Sequence, residues 1–155
     1  WVNGVSRIAW RYSDDKEPVT RLVQDSGRGC FVTGTTDWSD YTAKARLSLH
    51  TPGTGGLVAR YQGLGRYVSL ESDAKEVKLV ECLHGARRIL GEAKAAWALD
   101  ELHELKLECR GEKLAAYADG KKILEGMTSL RSGGAGILVE ECNVAFCGFE
   151  VKSEQ

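Results

Sequence analysis

Proline is nearly missing from this sequence. Two prolines in 155 residues mean that few backbone N–H groups are lost and few extended segments are interrupted. No apolar run is long enough to cross a bilayer as a helix, and no leader opens the chain. Charge of one sign is not in excess either. Lys and Arg number 21 against 22 Asp and Glu, so the basic footprint that nucleic acid requires is absent. The five cysteines show no C-x-x-C spacing of the zinc kind. A serine nucleophile elbow, a phosphate loop leading into a helix and a metalloprotease helix are missing as well. No stretch holds a convincing helical apolar period. These absences point away from nucleic-acid and membrane partners and from the motif-bearing enzyme classes.

What is present is alternation. Tyr41, Ala43, Ala45, Leu47 and Leu49 share one parity, and Thr42, Lys44, Arg46, Ser48 and His50 share the other. That period of two marks a long half-buried strand. Thr51-Pro52-Gly53-Thr54-Gly55-Gly56 reverses the chain. Two strands, Leu57 to Gln62 and Arg66 to Glu71, follow across Gly63-Leu64-Gly65. Here Leu57, Ala59, Tyr61, Val68 and Leu70 form the apolar class, with Arg60, Gln62, Tyr67, Ser69 and Glu71 opposite.

Earlier strands are expected over Val5–Tyr12, Val19–Gln24 and Cys30–Thr33, with a charged turn at Asp14-Asp15-Lys16-Glu17-Pro18. Later ones are expected over Lys75–Leu83, Arg87–Glu92, Leu102–Arg110, Lys113–Ala118, Lys121–Glu125, Gly136–Glu140 and Asn143–Val151. Ala93–Ala98, the one place where helix propensity competes, is read as an irregular or strand-edge segment. Asp119-Gly120 suits a two-residue hairpin, because both positions tolerate positive φ. Roughly a dozen short strands, with turns about every 8–12 residues, predict an all-β jelly-roll sandwich of two antiparallel sheets. The whole chain, residues 1–155, is read as one domain. It begins with Trp1, which suggests a module cut from a larger protein. The odd cysteine count suggests buried free thiols and a reducing, cytoplasmic setting.

Several of these segments resemble a known family. Gly34, Trp38, Asp40-Tyr41, Gly56-Leu57-Val58-Ala59-Arg60 and Arg66-Tyr67 resemble concanavalin A-like jelly-roll modules of the laminin-G and sugar-hydrolase-associated type. Leu105-Lys106-Leu107, Tyr117-Ala118-Asp119-Gly120 and Gly133-Gly134-Ala135-Gly136-Ile137 fit the same pattern. More narrowly, RLVQDSGRGCFVTGTTDWSDYTA and GLVARYQGLGRYVSLE are similar to a β-sandwich module fused to bacterial ADP-ribosylglycohydrolases. The resemblance implies a carbohydrate-binding or accessory module beside a catalytic domain of the same chain. Fold likeness does not by itself assign a ligand.

Sugars are held by aromatic faces and planar hydrogen-bonding groups. The candidate ligand-binding residues are therefore Arg46, Arg60, Gln62, Tyr67 and Glu71, with Lys44, on one open face. No catalytic residue is assigned. The Glu-x-Asp-x-x-Glu pattern of jelly-roll glucanases is absent. Glu101, Glu104 and Glu108 lie on the polar side of an amphipathic strand, and adjacent Glu140 and Glu141 would point to opposite faces. His50, His84 and His103 are read as isolated surface histidines. No cofactor is expected; calcium recurs in the broad fold, and Asp37 and Asp40 would be its only carboxylates here. The alternatives are a purely structural or protein-interaction sandwich and, after it, a glycoside hydrolase of the same fold.

Overall fold

A computed structural model describes residues 1–12 and 18–153 of the chain, and the side chains of all of these but residues 10–12 and 18. The turn expected at Asp14–Pro18 therefore falls mainly outside the described residues. Two seven-stranded antiparallel sheets pack face to face. The front sheet runs β1 (Val2–Asn3), β4 (Arg28–Thr33), β13 (Gly134–Glu140), β6 (Thr54–Gly63), β7 (Arg66–Ser72), β8 (Glu76–Leu83), β9 (Ala86–Lys94). The back sheet runs β12 (Lys121–Met127), β11 (Lys113–Ala118), β10 (His103–Arg110), β5 (Tyr41–Leu49), β14 (Asn143–Ser153), β3 (Pro18–Val23), β2 (Arg7–Tyr12). The expected all-β sandwich is what forms.

The alternation of β5 behaves as its parity dictates. Tyr41, Ala43, Ala45, Leu47 and Leu49 all enter the core, where they meet Leu57, Ala59, Val68, Leu70 and Ile137 of the front sheet. Each large aliphatic side chain removed from water contributes about 1.5–3 kcal/mol. All five cysteines are buried and free. Asp119 and Gly120 both take positive φ, 50° and 81°, which gives the β11–β12 turn the twist its strands need. β9 extends to Lys94 and the chain then runs irregularly through Ala95–Ala98, as its composition suggests.

Two features escape parity. The first is the crossing between β5 and β6, which carries the chain from the back sheet to the front. The second is a bulge in β6. Between the pairs Ala59–Val68 and Gly63–Arg66, β6 takes four steps while β7 takes two. Arg60 sits in this bulge at φ 50°. Extra residues re-aim side chains and end strict alternation. Arg60 consequently turns inward and is fully buried, whereas Tyr61 emerges on the outer side and stacks on Tyr67 with centroids 6.3 Å apart. The expected inward Tyr61 and outward Arg60 are thus exchanged.

Candidate functional site on the outer face of the front sheet

The front sheet is apolar on both sides. Besides the sandwich core, its outer face carries Cys30, Val32, Val58, Tyr67, Cys82 and Leu138 as a second buried cluster, with Tyr61 packed on it. Gly56 and Gly136 share this parity. A Cβ on Gly56 would fall 2.1 Å from the Leu70 carbonyl oxygen, and one on Gly136 the same distance from that of Phe31. Glycine is needed there for strand pairing itself.

Polar side chains lie across this apolar floor and are tied to one another. Arg28 donates from Nη1 to the Tyr67 hydroxyl at 2.8 Å and from Nη2 to both Glu140 oxygens at 3.4 Å. Arg87 reaches over β8 and grips Glu71 in a fork, Nη1 to Oε1 at 3.0 Å and Nη2 to Oε2. Glu71 is 3% exposed, while the side chains of Arg28, Arg87 and Glu140 keep 25%, 26% and 32% of their surface. Planar fork-to-carboxylate pairs fix direction as well as charge. Arg28, Arg87 and Glu140 are therefore held in place yet still open to a ligand, over a covered Glu71. A shallow pocket of about 120 Å³ lies among Thr54, Glu71, Asp73, Glu76, Lys78, Arg87 and Glu140.

Burial pushes the Tyr67 phenol up to about 12, against the opposing pull of the Arg28 guanidinium. It stays neutral at ordinary pH, accepting from Arg28 with its own O–H still available. The Cys30 thiol beneath is likewise raised by burial to about 12, which makes it an inert packing group. Burial would lower the Arg28 guanidinium, but Tyr67 and Glu140 outweigh it and the net direction is up.

The structure gathers only part of the expected set. Tyr67 and Glu71 belong to this site. Arg60 does not: its Nη1 donates to the carbonyls of Gly111 and Leu130 at 3.0 and 2.5 Å, and its Nη2 faces Asp40 at 3.4 Å. It closes the end of the sandwich. Gln62 lies at the far end of β6 from Thr54, donating to the Ser132 carbonyl at 2.8 Å and accepting from Arg66 at 3.2 Å. Arg46 and Lys44 are on the outer face of the back sheet. The expectation of one shared open face is corrected by the β5–β6 crossing and the β6 bulge.

Arg28 and Arg87 are not singled out by the sequence, and Glu140 is weighed there only as a catalytic carboxylate. Arg28 and Glu140 meet by the pairing of distant strands β4 and β13, and Arg87 is brought in by the β8–β9 hairpin, opposite Cys82. Among the described residues no cluster of three or more His, Cys, Asp or Glu could hold a metal ion. Asp40 instead accepts the Gly111 N–H at 2.9 Å.

Two of the three histidines are not isolated. His103 stacks on Trp97 at 4.1 Å between centroids, with Nδ1 2.7 Å from Asp119 Oδ2 and Nε2 2.7 Å from Glu101 Oε1. His50 contacts Ser48, Asp100 and Arg21.

No family model and no curated sequence matches the chain. Solved structures do match in fold. The carbohydrate-binding module CBM66 from Bacillus subtilis superposes with a TM-score of 0.81 at 19% identity, over 95% of this chain and 92% of that one. Sheep galectin-11, in complex with glycerol, gives 0.57 at 12% identity over 84% of this chain and 99% of its own. A GH43 protein from Bacillus licheniformis gives 0.67 at 18% identity, over 94% of this chain but 35% of that longer one. The narrower resemblance to a module fused to ADP-ribosylglycohydrolases draws no support from these likenesses. The chain is an all-β sandwich of two seven-stranded antiparallel sheets with the galectin and concanavalin A-like fold.

Proposed function

We propose that this domain is a carbohydrate-binding module whose ligand lies on the outer face of the front sheet, at a site that does no chemistry on the sugar. The observation that carries the reading is the pair of anchored ion pairs, the Arg87–Glu71 fork and Arg28–Glu140, with Arg28, Arg87 and Glu140 part-exposed above a buried Tyr67. Vicinal hydroxyls offer a donor and an acceptor at short separation, and a fixed guanidinium beside a fixed carboxylate complements both. The pocket is lined by Glu71, Asp73, Glu76 and Glu140 against Lys78 and Arg87. That excess of carboxylates disfavours acidic sugars and suits neutral ones. Each of the two central carboxylates accepts from an arginine, an environment for orientation. A glycosidase would need one of them held protonated in apolar surroundings.

The likeness to a carbohydrate-binding module and to a galectin supports the class of ligand. The partial coverage of the GH43 protein supports a module that works beside a catalytic domain of the same chain. A glycan array followed by calorimetry tests the proposal. Neutral glycans should bind, and Glu71→Gln and Arg87→Ala should each weaken them at least about tenfold, as expected for loss of a charge-assisted contact. Arg46→Ala on the back sheet should bind as wild type. Absence of any glycan binding, or undiminished binding in both front-sheet variants, would favour the purely structural sandwich.

A further inference from the structure

The outer face of the back sheet holds a second constellation, unconnected with the sugar site. Ser48 and His50 are two residues apart on the outward parity of β5 and its continuation. Ser48 Oγ lies 3.2 Å from His50 Nε2, and His50 Nδ1 faces Asp100 Oδ1 in a short contact. Asp100 is presented by the segment between β9 and β10. Its own N–H is fixed to the Leu49 carbonyl at 2.8 Å, and its backbone is held at φ 66°. An aspartate at positive φ is uncommon and persists where its surroundings determine it. We propose that Ser48, His50 and Asp100 form an acyl-transfer triad that accepts short acyl esters.

The geometry assigns the roles. A carboxylate at Nδ1 can only accept, so the imidazole proton sits on Nδ1 and the Nε2 lone pair is turned toward the seryl hydroxyl. That is the tautomer a general base requires. Arg21 completes the group. Ala145 on β14 pairs with Ser48 on one side and Arg21 on the other, and its small side chain lets the two larger ones approach over it. Arg21 Nη2 stands 3.5 Å from His50 Nε2, while Arg21 Nε is buried without a hydrogen-bond partner. A buried donor without an acceptor is costly, and an oxyanion forming beside Ser48 would supply one. Ser48 is 7% exposed on an open sheet face, which suits an acetyl-sized acyl group better than a long chain.

The reaction balances without another reagent than water. Ser48 Oγ bonds to the ester carbonyl carbon as its proton passes to His50 Nε2, and the carbonyl electrons move onto the oxygen, facing Arg21. Collapse breaks the ester C–O bond, and the leaving alcohol takes the proton from His50. Water then attacks the acyl-serine, giving its proton to His50. The carboxylic acid departs as Ser48 Oγ is reprotonated.

The test is active-site labelling of the intact domain with a fluorophosphonate, read by intact mass and peptide mapping. A single adduct on Ser48 is expected, slowed at least about 100-fold in His50→Ala, the range a general base contributes. His50→Gln, closer in size, serves as the second variant if His50→Ala melts early. Ser48→Ala should leave no adduct and retain glycan binding, so failure here is distinguishable from failure of the sugar reading. No adduct on Ser48, or a rate indifferent to both His50 substitutions, would overturn the triad.

Discussion

The two outer faces of this sandwich carry charge in opposite ways. On the front sheet, charged groups lie flat over an apolar floor and lock in forks, with Glu71 and Tyr67 almost without exposure. On the back sheet, Lys44, Lys106, Glu108, Glu150 and Lys152 stand beside one another around a depression of about 210 Å³. Their contacts are made by lysine ammonium groups rather than forks, such as Lys152 Nζ to Glu150 at 3.1 Å, Lys44 Nζ to Glu150 at 3.7 Å and Lys106 Nζ to Glu108 at 3.8 Å. What differs is the number of bonds that fix each group, and fixed groups meet a ligand with less ordering cost. A row of lysines and glutamates in a strand is thus a poor guide to binding.

Arg60, buried in the seam between the faces, gives the largest expected effect. If anchoring by burial governs energy here, Arg60→Ala should cost about 3–5 kcal/mol in urea unfolding, because the Gly111 and Leu130 carbonyls lose their donor and Asp40 its cation. Surviving folded protein should still bind sugar, since Arg60 does not reach the outer face. A cost below about 1 kcal/mol would show that water replaces the guanidinium and that burial is not the distinguishing quantity.

The next largest effect separates the faces by pH. Tyr67 titrates near 10 when unfolded and at about 12 when folded. Its native state therefore binds a proton more tightly across that window. The stabilisation is fully present below pH 10 and is lost as pH rises through about 12. The rise from near 10 to about 12 corresponds to a loss on the order of 3 kcal/mol. Cys30, raised from 9.0 to about 12 by burial in the same cluster, contributes in the same direction from a lower starting pH. Melting curves between pH 8 and 12 should fall steeply for the wild type and less steeply for Tyr67→Phe. Equal slopes would mean that the front face opens before its groups ionise.

A smaller effect concerns the fork itself. Glu71→Gln keeps the shape and one acceptor but leaves Arg87 without its charge partner, so a loss of about 1–2 kcal/mol is expected in denaturant titration. Arg87, part-exposed, can turn to water, which keeps the cost below that of Arg60→Ala. A larger loss than Arg60→Ala would reverse the ranking of seam and face.

The fold was legible because burial enforces parity. The run Tyr41 to His50 alternates as one unbroken strand, and Asp119-Gly120 can hardly be other than a hairpin turn. The site was legible only in part. Tyr67 and Glu71 keep their parity on a regular strand and were correctly turned outward. Arg60 was not, because one positive-φ residue in a bulge has no local sequence mark when it is not glycine. Arg46 and Arg60 were joined on one face because a strand's parity says which side faces out and nothing about which sheet it has joined. Arg28 and Glu140 come together through a pairing between strands far apart in the chain, which one-dimensional spacing does not record, and Arg87 reaches Glu71 only across the intervening β8. The Ser48–His50 contact was visible in principle as two polar residues on one parity, but Asp100 arrives from another segment.

The smallest expected effect lies on the back sheet, where it tests the other half of the comparison. Glu150 is shared between Lys152 at 3.1 Å and Lys44 at 3.7 Å, and its carboxyl is lowered chiefly by the Lys152 contact, an effect that outweighs the small opposing desolvation. Lys152 is well exposed and Lys44 part-exposed, so solvent screens the attraction and side-chain freedom opposes it. Lys44→Ala should move the thermal midpoint by less than about 2 °C, and raising salt well above physiological strength should erase even that difference. A shift as large as that of Glu71→Gln, or one that survives salt, would mean that the back face is as organised as the front. The forks over Tyr67 would then no longer mark where a ligand is held.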